Sequence, residues 1–197
     1  MTLTRPIRFA IGLAALLGLL TCTSVDTTEA PGDQDNLCAI FAQRPGWREA
    51  VEATAAKWGA PVPVQMAIIW RESSFRSSVR PPKKYILGII PNGRVSSAYG
   101  YSQAIDGTWD WYRRETGNSN ADRTDFKDAS DFVGWYMNQS LRQNGIGLGD
   151  AYAQYLAYHE GHAGYRRGSF RAKRWLVDVA GKVAGQAARY RRQYPNC

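Results

Sequence analysis

The sequence is poor in side chains that bind metals. Its 197 residues include only two histidines and three cysteines. The histidines, His159 and His162, lie three positions apart with a glycine between them, whereas the zinc-binding helix of metallohydrolases places two histidines four positions apart on one face. We therefore predict no metal site and no other cofactor.

Patterns typical of buried strands are also scarce, which argues against a serine hydrolase. Residues 100–104, Gly-Tyr-Ser-Gln-Ala, match half of the nucleophile elbow of that class. The elbow requires a buried strand before the serine and an α/β sheet around it, and neither is visible around Ser102. The chain also has no internal repeat and no low-complexity segment.

No apolar run is long enough to act as a permanent membrane span. The run from Phe9 to Leu20 follows the cations Arg5 and Arg8, an order typical of an export signal. We predict that residues 1–21 are a signal peptide.

Residues 19–22, Leu-Leu-Thr-Cys, resemble the lipobox of bacterial lipoproteins, in which the cysteine becomes the acylated first residue. A lipid on Cys22 would hold the exported protein on the periplasmic face of a membrane without spanning it. Thr23 replaces the aspartate that often retains lipoproteins in the inner membrane, which favours the outer membrane. Secretion with cleavage nearby is the alternative.

The remaining cysteines, Cys38 and Cys197, stand at the two ends of what is left of the chain. An even pair in an exported protein predicts a disulfide. The polar residues 22–37 lack apolar periodicity and are interpreted as the lipidated cysteine and a flexible tether. The folded domain is then 38–197.

The charge of the chain is positive. Its formal value is +8, and removal of residues 1–21 takes away two arginines and no acid, which leaves +6. Because an exported protein meets anionic polymers and lipids of the cell envelope, we do not predict nucleic acid as the partner. The alternative is a solvated helical face that carries the cations Arg166, Arg167, Arg171, Lys173, Arg174, Arg189, Arg191 and Arg192.

Apolar residues at helical spacing recur along the chain and predict a mainly α domain. The six predicted helices run from Pro45 to Gly59, through residues 64–75, from an N-cap at Asp106 or Thr108 to Gly117, over 128–143, from Asp150 to Gly161, and from an N-cap at Ser169 towards Tyr190. Residues 80–95 mix turn formers with an apolar run, so either a small β-hairpin or an irregular flap is expected there.

One carboxylate stands where an apolar residue is expected. Val64, Ile68 and Glu72 follow each other at i+4 steps on the second helix, which is entered through prolines. Burial and the negative end of the helix dipole both disfavour an ionised Glu72, so its pKa should be raised and suit a general acid. The alternative is an exposed ion pair with Arg76.

Glycoside cleavage needs such an acid, together with aromatic and amide groups that hold sugar rings. Around Glu72 the sequence offers a set of candidates, each of which could equally belong to the core: Tyr99, Tyr101, Gln103, Trp109, Trp111 and Tyr158.

Three segments resemble, in order, the motifs of the soluble-type lytic transglycosylase (SLT) domain of the lysozyme-like superfamily. Residues 69–75 match the Glu-Ser end of its catalytic helix, residues 98–103 its Gly-Ala-x-Gly-Leu-Met-Gln turn, and residues 157–161 its Tyr-Asn-x-Gly turn. The resemblance covers roughly 45–165 and implies a goose-type lysozyme fold in a single domain.

The resemblance implies that the substrate is the glycan strand of peptidoglycan. Glu72 would protonate the bond between N-acetylmuramic acid and N-acetylglucosamine, then deprotonate the muramoyl 6-hydroxyl to leave a 1,6-anhydro sugar. Ser73 would steady the turn after the helix, while Gln103 and Tyr158 would line the cleft. The full set of expected substrate-binding residues is Ser73, Ser97, Tyr99, Tyr101, Gln103, Tyr158, His159 and Glu160.

The sequence departs from the family motifs in three places. Tyr101-Ser102 replaces Leu-Met, and His159 followed by Glu160 replaces the family's asparagine. If Glu160 faced the cleft it could activate water, as in a hydrolytic muramidase; alternatively it pairs with Arg166 or Arg167. The long segment 80–97 is expected to cover the cleft, contact membrane or bind an envelope protein. A further alternative is a peptidoglycan-binding lipoprotein without activity.

Overall fold

The computed structural model describes residues 29–197, so the predicted signal peptide and Cys22 lie outside the described residues. In chain order the elements are α1 (Leu37–Gln43), α2 (Pro45–Trp58), α3 (Val62–Ser73), β1 (Lys83–Ile86), β2 (Ile90–Arg94), α4 (Asp106–Thr116), α5 (Phe126–Asn144), α6 (Ala151–Arg167) and α7 (Arg174–Gln193). Short 3₁₀ turns at Ser169–Ala172 and Tyr194–Asn196 flank α7. This mainly helical architecture with one small antiparallel sheet confirms the predicted fold class.

Glycines end the helices where the sequence predicts. Gly59, Gly117 and Gly145 follow α2, α4 and α5 with φ of 74°, 70° and 69°. Glycine adopts this left-handed conformation without the steric penalty of a Cβ atom, which makes it the usual residue after a helix.

Two helix starts differ from the predictions. α1 was not predicted; Asn36 caps it through a hydrogen bond from the Ala39 amide to its side chain, and the helix is too short to show a clear period. α4 begins after Ile105, so Asp106 is its first residue rather than its cap.

The predictions for α6 and α7 were wrong in part. The backbone leaves helical geometry at Gly161 (φ 72°, ψ 158°), but helical structure resumes at once and continues to Arg167. Ser169 does not cap α7, because Lys173 occupies that position without a side-chain hydrogen bond to the helix.

Helix α3 is the centre of the core. It packs against α2, α5, α6 and α7, and every side chain from Val62 to Ile69 is buried. A helix that is enclosed on all sides has no polar face, which accounts for the mostly apolar sequence of α3. Its one polar residue before Ile69, Gln65, is buried and donates to the backbone oxygens of Val51 and Ala60 at 3.1 and 2.7 Å. The last turn of α3, which carries Glu72, is thereby held in a fixed position.

A disulfide joins the first helix to the end of the chain. Cys38 and Cys197 form a disulfide over 159 positions, with their Cα atoms 4.9 Å apart. The segment before Cys38 is also attached: the Leu37 amide donates to the Gln193 side chain at 2.8 Å, and Gln34 accepts at its backbone oxygen from Tyr190. Side chains of α7 thus hydrogen-bond the backbone of Gln34, Asp35 and Leu37.

The segment 80–97 contains a β-hairpin, which decides between the two expected structures. β1 and β2 pair antiparallel, with Lys83 opposite Arg94 and Ile86 opposite Ile90. Every side chain from 82 to 97 is exposed. Within residues 29–197, no helix has the length and apolar character needed to cross a membrane.

Candidate active site

Glu72 lies in the last turn of α3, one residue before the helix ends. The helix stops because Ser74 turns left-handed (φ 51°) and donates its amide to the Trp70 oxygen at 2.9 Å. Arg76 does not pair with Glu72; it donates to the backbone oxygen of Ser73 at 3.2 Å. Glu72 as a residue is only partly exposed.

Burial raises the pKa of Glu72 to about 7. The desolvated carboxylate outweighs two influences that lower the pKa, a hydrogen bond with Tyr155 and the nearby charge of Arg71. A carboxyl group with a pKa near neutrality is substantially protonated at pH 7 and can both give and take a proton.

Glu72 lines a cavity of about 380 Å³. The cavity lies between the end of α3, the segment after the hairpin, α5 and α6. Its lining residues are Glu72, Ser96, Ala98, Gln103, Ala104, Ile105, Thr108, Phe132, Tyr136, Tyr158 and His159. Glu72 is the one carboxylate in this set.

Gln103 sits on a tight turn that forms one wall of the cleft. The turn brings Gly100 (φ 77°) so close to Arg123 that a Cβ atom on Gly100 would lie 2.0 Å from the Arg123 oxygen. The side-chain amide of Gln103 donates to the backbone oxygens of Val79 at 2.9 Å and Gly100 at 2.8 Å. Both donor hydrogens are thus used, one within the turn and one on the segment of Val79, and within residues 29–197 the side-chain oxygen has no hydrogen-bond partner.

Tyr158 connects α6 to the same turn. Its hydroxyl donates to the backbone oxygen of Ser102 at 2.6 Å, and its ring packs against Tyr136 at 5.1 Å. Burial, together with the neighbouring Glu72, raises the pKa of Tyr158 well above its ordinary value. The phenol therefore stays neutral and keeps its proton for the Ser102 oxygen.

Several residues expected at the substrate lie elsewhere. Tyr101 is only 1% exposed and packs edge to face against Trp47 and Phe126, so it does not fit the predicted sugar contact. Tyr99 lies outside the Glu72 cavity, with the Arg80 guanidinium 3.6 Å from its ring centroid.

The two serines named as substrate-binding candidates make local hydrogen bonds, which for Ser73 is consistent with its expected role of steadying the turn after α3. The Ser73 hydroxyl is buried and donates to the Ile69 oxygen at 3.2 Å. The Ser97 hydroxyl accepts the Asp106 amide at the start of α4 at 3.0 Å. Both therefore hold backbone near the cleft, and neither lines it.

Of the two tryptophans considered as sugar platforms, Trp109 is a core residue and Trp111 is partly buried against the core, and neither lines the Glu72 cavity. Trp109 is 4% exposed and packs against Phe132, and Trp111 packs against Trp135 at 4.6 Å.

Glu160 is withdrawn from the cleft. Its side chain is 3% exposed, pairs with Lys173 at 2.7 Å, and accepts hydrogen bonds from Ser169 and His159. Burial by itself would raise the pKa of Glu160, but these three partners hold it at about 2. Both earlier interpretations of Glu160 therefore fail, since it neither lines the cavity nor pairs with Arg166 or Arg167. The use of Ser169 in this cluster also explains why it does not cap α7.

The two histidines have separate environments. His159 lines the cleft and stands edge to face with Trp175 at 5.2 Å. His162 is buried, stacks on Tyr136 at 4.4 Å and shares a 3.1 Å hydrogen bond with Ser140. Their side chains point into different surroundings, so they do not form a common ligand pair.

Sequence reasoning missed several residues around the acid. Tyr155 hydrogen-bonds Glu72, and it lies one helical turn before Tyr158, a spacing that would have identified it. Phe132 and Tyr136 line the cleft from α5, but their helical spacing in the sequence is typical of core residues. Trp175 is 55% exposed beside His159, and only the fold brings α7 to the cleft rim.

Comparison with known proteins identifies the family of the chain. A search of curated proteins gives no match to the chain. A family model described as a transglycosylase SLT domain matches residues 10–197, which is most of the chain. This family relationship accounts for the helical fold and for an activity of the lytic transglycosylase type on peptidoglycan. The chain belongs to the transglycosylase SLT domain family.

Proposed function

We propose that this protein is a lytic transglycosylase that cleaves the β-1,4 bond between N-acetylmuramic acid and N-acetylglucosamine and leaves a 1,6-anhydro-muramoyl end. The observation that carries the proposal is Glu72, the one carboxyl group among the cleft-lining residues, with its pKa raised to about 7. Its environment suits one group that acts first as acid and then as base.

In the first step, protonated Glu72 gives its proton to the glycosidic oxygen, and the bond from that oxygen to C1 of the muramoyl ring breaks. In the second step, the carboxylate of Glu72 takes the proton of the muramoyl 6-hydroxyl while this oxygen bonds to C1. The proton lost in the first step is regained in the second, so no water and no protein nucleophile is consumed.

The lack of a second cleft carboxylate within residues 29–197 favours this route over hydrolysis by a carboxylate pair. Such hydrolases hold two carboxyl groups about 5 to 9.5 Å apart across the scissile bond. Glu160 was the candidate for a second acid, but its carboxylate is bound by Lys173, Ser169 and His159. Hydrolytic muramidase activity therefore has no separate base among these residues.

The cleft walls support binding of a glycan. The free side-chain oxygen of Gln103 can accept a hydrogen bond from a sugar hydroxyl or acetamido N–H group, because its amide is held in place by Val79 and Gly100. At the rim, the exposed ring of Trp175 next to His159 offers a flat apolar surface for a sugar ring. A binding protein without activity would not require an acid with a raised pKa between these groups.

The test is mass spectrometry of the muropeptides that residues 29–197 release from purified sacculi. We expect anhydro-muramoyl products, and their loss by at least 100-fold in Glu72→Gln. Glu115→Gln, at an exposed acid of α4, is the matched control and should behave as the wild type. Reducing-end products would establish hydrolysis, and sacculus binding without release would establish a binding protein.

We further propose export with a lipid on Cys22 and attachment to the outer membrane, supported by the sequence of residues 1–23 and by the Cys38–Cys197 disulfide, which is typical of oxidising compartments. Mass spectrometry of the mature amino terminus from the native host tests it. A diacylated or triacylated Cys22 is expected, and an unmodified terminus would contradict it.

A further inference from the structure

We propose that the β-hairpin is a membrane-binding element that inserts its tip into a bilayer containing anionic phospholipid. The tip is defined as residues 86–90 and the base as Lys83, Lys84 and Arg94. The proposal concerns where the enzyme sits and does not depend on the reaction catalysed.

The tip exposes aliphatic side chains that the fold does not use. Leu87 is 86% exposed and Ile89 76%, and Ile86 and Ile90 are each about half exposed (49% and 53%). Contiguous apolar surface of this kind marks a site of contact with a membrane or another molecule. A two-stranded hairpin with both faces in water is also marginally stable, so it gains order when a surface covers it.

The turn at the tip exposes Leu87 and holds its backbone in a strained conformation. Leu87 and Gly88 have φ of 53° and 75°, and this left-handed conformation is unfavourable for leucine but free of strain for glycine. Asparagine or glycine would make the same turn with less strain and without apolar exposure. A leucine at this position contributes nothing to the folded domain and is explained by burial in lipid.

The charge around the tip is positive throughout. Between Glu72 and Asp106 the sequence has no acidic residue, but it has the five cations Arg76, Arg80, Lys83, Lys84 and Arg94. Within residues 29–197 none of these five forms an ion pair with a carboxylate. Unpaired basic groups near an anionic membrane surface each strengthen binding by about fivefold.

Along the hairpin, the order of apolar, aromatic and basic residues from the tip to the base matches the order of layers in a bilayer, from acyl chains to headgroups. Lys83 lies four positions before Leu87, a distance of about 13 Å in extended chain. An apolar element of this kind enters about 5–10 Å into the boundary between headgroups and acyl chains. With the tip at that depth, Tyr85 lies in the interfacial layer that tyrosine prefers, and Lys83, Lys84 and Arg94 reach the phosphates.

A lipid surface fits the tip better than a glycan does. Sugars are bound by aromatic faces and by hydrogen-bonding side chains, whereas residues 86–90 are Ile-Leu-Gly-Ile-Ile. Because Ser96 and Ala98, directly after the hairpin, line the Glu72 cavity, membrane binding would place the catalytic cleft next to the bilayer.

The test is sedimentation of residues 29–197, which contain the whole described core and the disulfide, with phospholipid vesicles. Vesicles with about one-third phosphatidylglycerol should bind the protein at least tenfold more strongly than vesicles of phosphatidylcholine alone. Leu87→Asp should weaken binding by about 10- to 100-fold, and Lys83→Glu with Lys84→Glu by at least tenfold.

Matched controls lie on α5 and α7, outside the hairpin. Leu141→Asp makes the same change at an exposed leucine of α5, and Arg142→Glu with Lys182→Glu makes the same charge reversal; all should bind vesicles as the wild type does. Glu72→Gln should also bind normally, so failure of the proposed reaction would not affect this result. Absence of vesicle binding, or binding that Leu87→Asp leaves unchanged, would overturn the proposal, as would loss of sacculus binding alone in that variant.

Discussion

The hydroxyl of Tyr158 donates to the backbone oxygen of Ser102 at 2.6 Å, across 56 positions of sequence. This hydrogen bond joins the helix that carries Tyr155, the hydrogen-bond partner of Glu72, to the turn that carries Gln103. The acid and the opposite wall of the cleft are thereby held at a constant separation.

Tyr158→Phe should loosen this connection. We expect a loss of about 1–2 kcal/mol in the free energy of unfolding, because the buried Ser102 oxygen loses its partner, and a 10- to 100-fold lower rate, because the cleft walls are no longer aligned. Thermal unfolding and muropeptide release measure the two effects. Tyr152→Phe on the same helix is the control, and equal effects in both variants would contradict the role of Tyr158.

The rate should depend on pH through the protonated form of Glu72. Because burial raises the pKa of Glu72 to about 7, the fraction of enzyme able to protonate the leaving oxygen falls as the pH rises above that value. We expect kcat/KM to decline about tenfold per pH unit above neutrality. A decline that begins near pH 4.5, the ordinary value for a glutamate, would show that Glu72 is not desolvated in the active enzyme.

The same pKa makes stability depend on pH. Between pH 4.5 and about 7 the folded chain retains the Glu72 proton and the unfolded chain has released it, so raising the pH favours unfolding. The stability present below pH 4.5 should therefore fall by about 3 kcal/mol by neutral pH. In Glu72→Gln this component should vanish from denaturant curves, while Glu115→Gln should keep it.

Glu160→Gln should affect stability more than catalysis. The variant leaves Lys173 without its carboxylate, and we expect a cost of about 1–2 kcal/mol, since Lys173 is partly exposed. Because the folded pKa of Glu160 is about 2, its contribution is present above pH 4.5 and is lost as the pH falls towards 2. Anhydro products should persist, and a change to a different product would restore Glu160 as a participant.

Gly100→Ala should disrupt the turn that holds Gln103. The added Cβ would meet the Arg123 backbone oxygen at 2.0 Å, so either the turn or the Arg123 segment must move. Gly117→Ala is the control, because Gly117 has a similar φ of 70° but open space around its Cα. We expect both variants to lose about 1 kcal/mol from backbone strain, and Gly100→Ala to lose at least 2 kcal/mol more together with most activity. Equal losses would exclude the steric effect.

Local signals in the sequence determined most of the helical framework. The period of apolar residues and the glycines at 59, 117 and 145 marked where helices lie and end, because these features act over a few neighbouring residues. The position of Glu72 on a helix enclosed in the core followed from the same spacing, and with it the raised pKa. These inferences required no knowledge of which helix packs against which.

The tertiary structure decided which neighbour each functional side chain has. The sequence gives no reason to prefer Tyr99, Tyr101 or Tyr158 as a cleft residue. In the structure only Tyr158 of these three lines the cleft, while Tyr101 packs between Trp47 and Phe126. Glu160 is paired by Lys173, thirteen positions later, rather than by the nearer Arg166 or Arg167, since the bend at Gly161 and the 3₁₀ turn bring Lys173 against it. Periodicity assigns a residue to a face of its helix, but contacts between elements distant in sequence depend on the packing of the whole core.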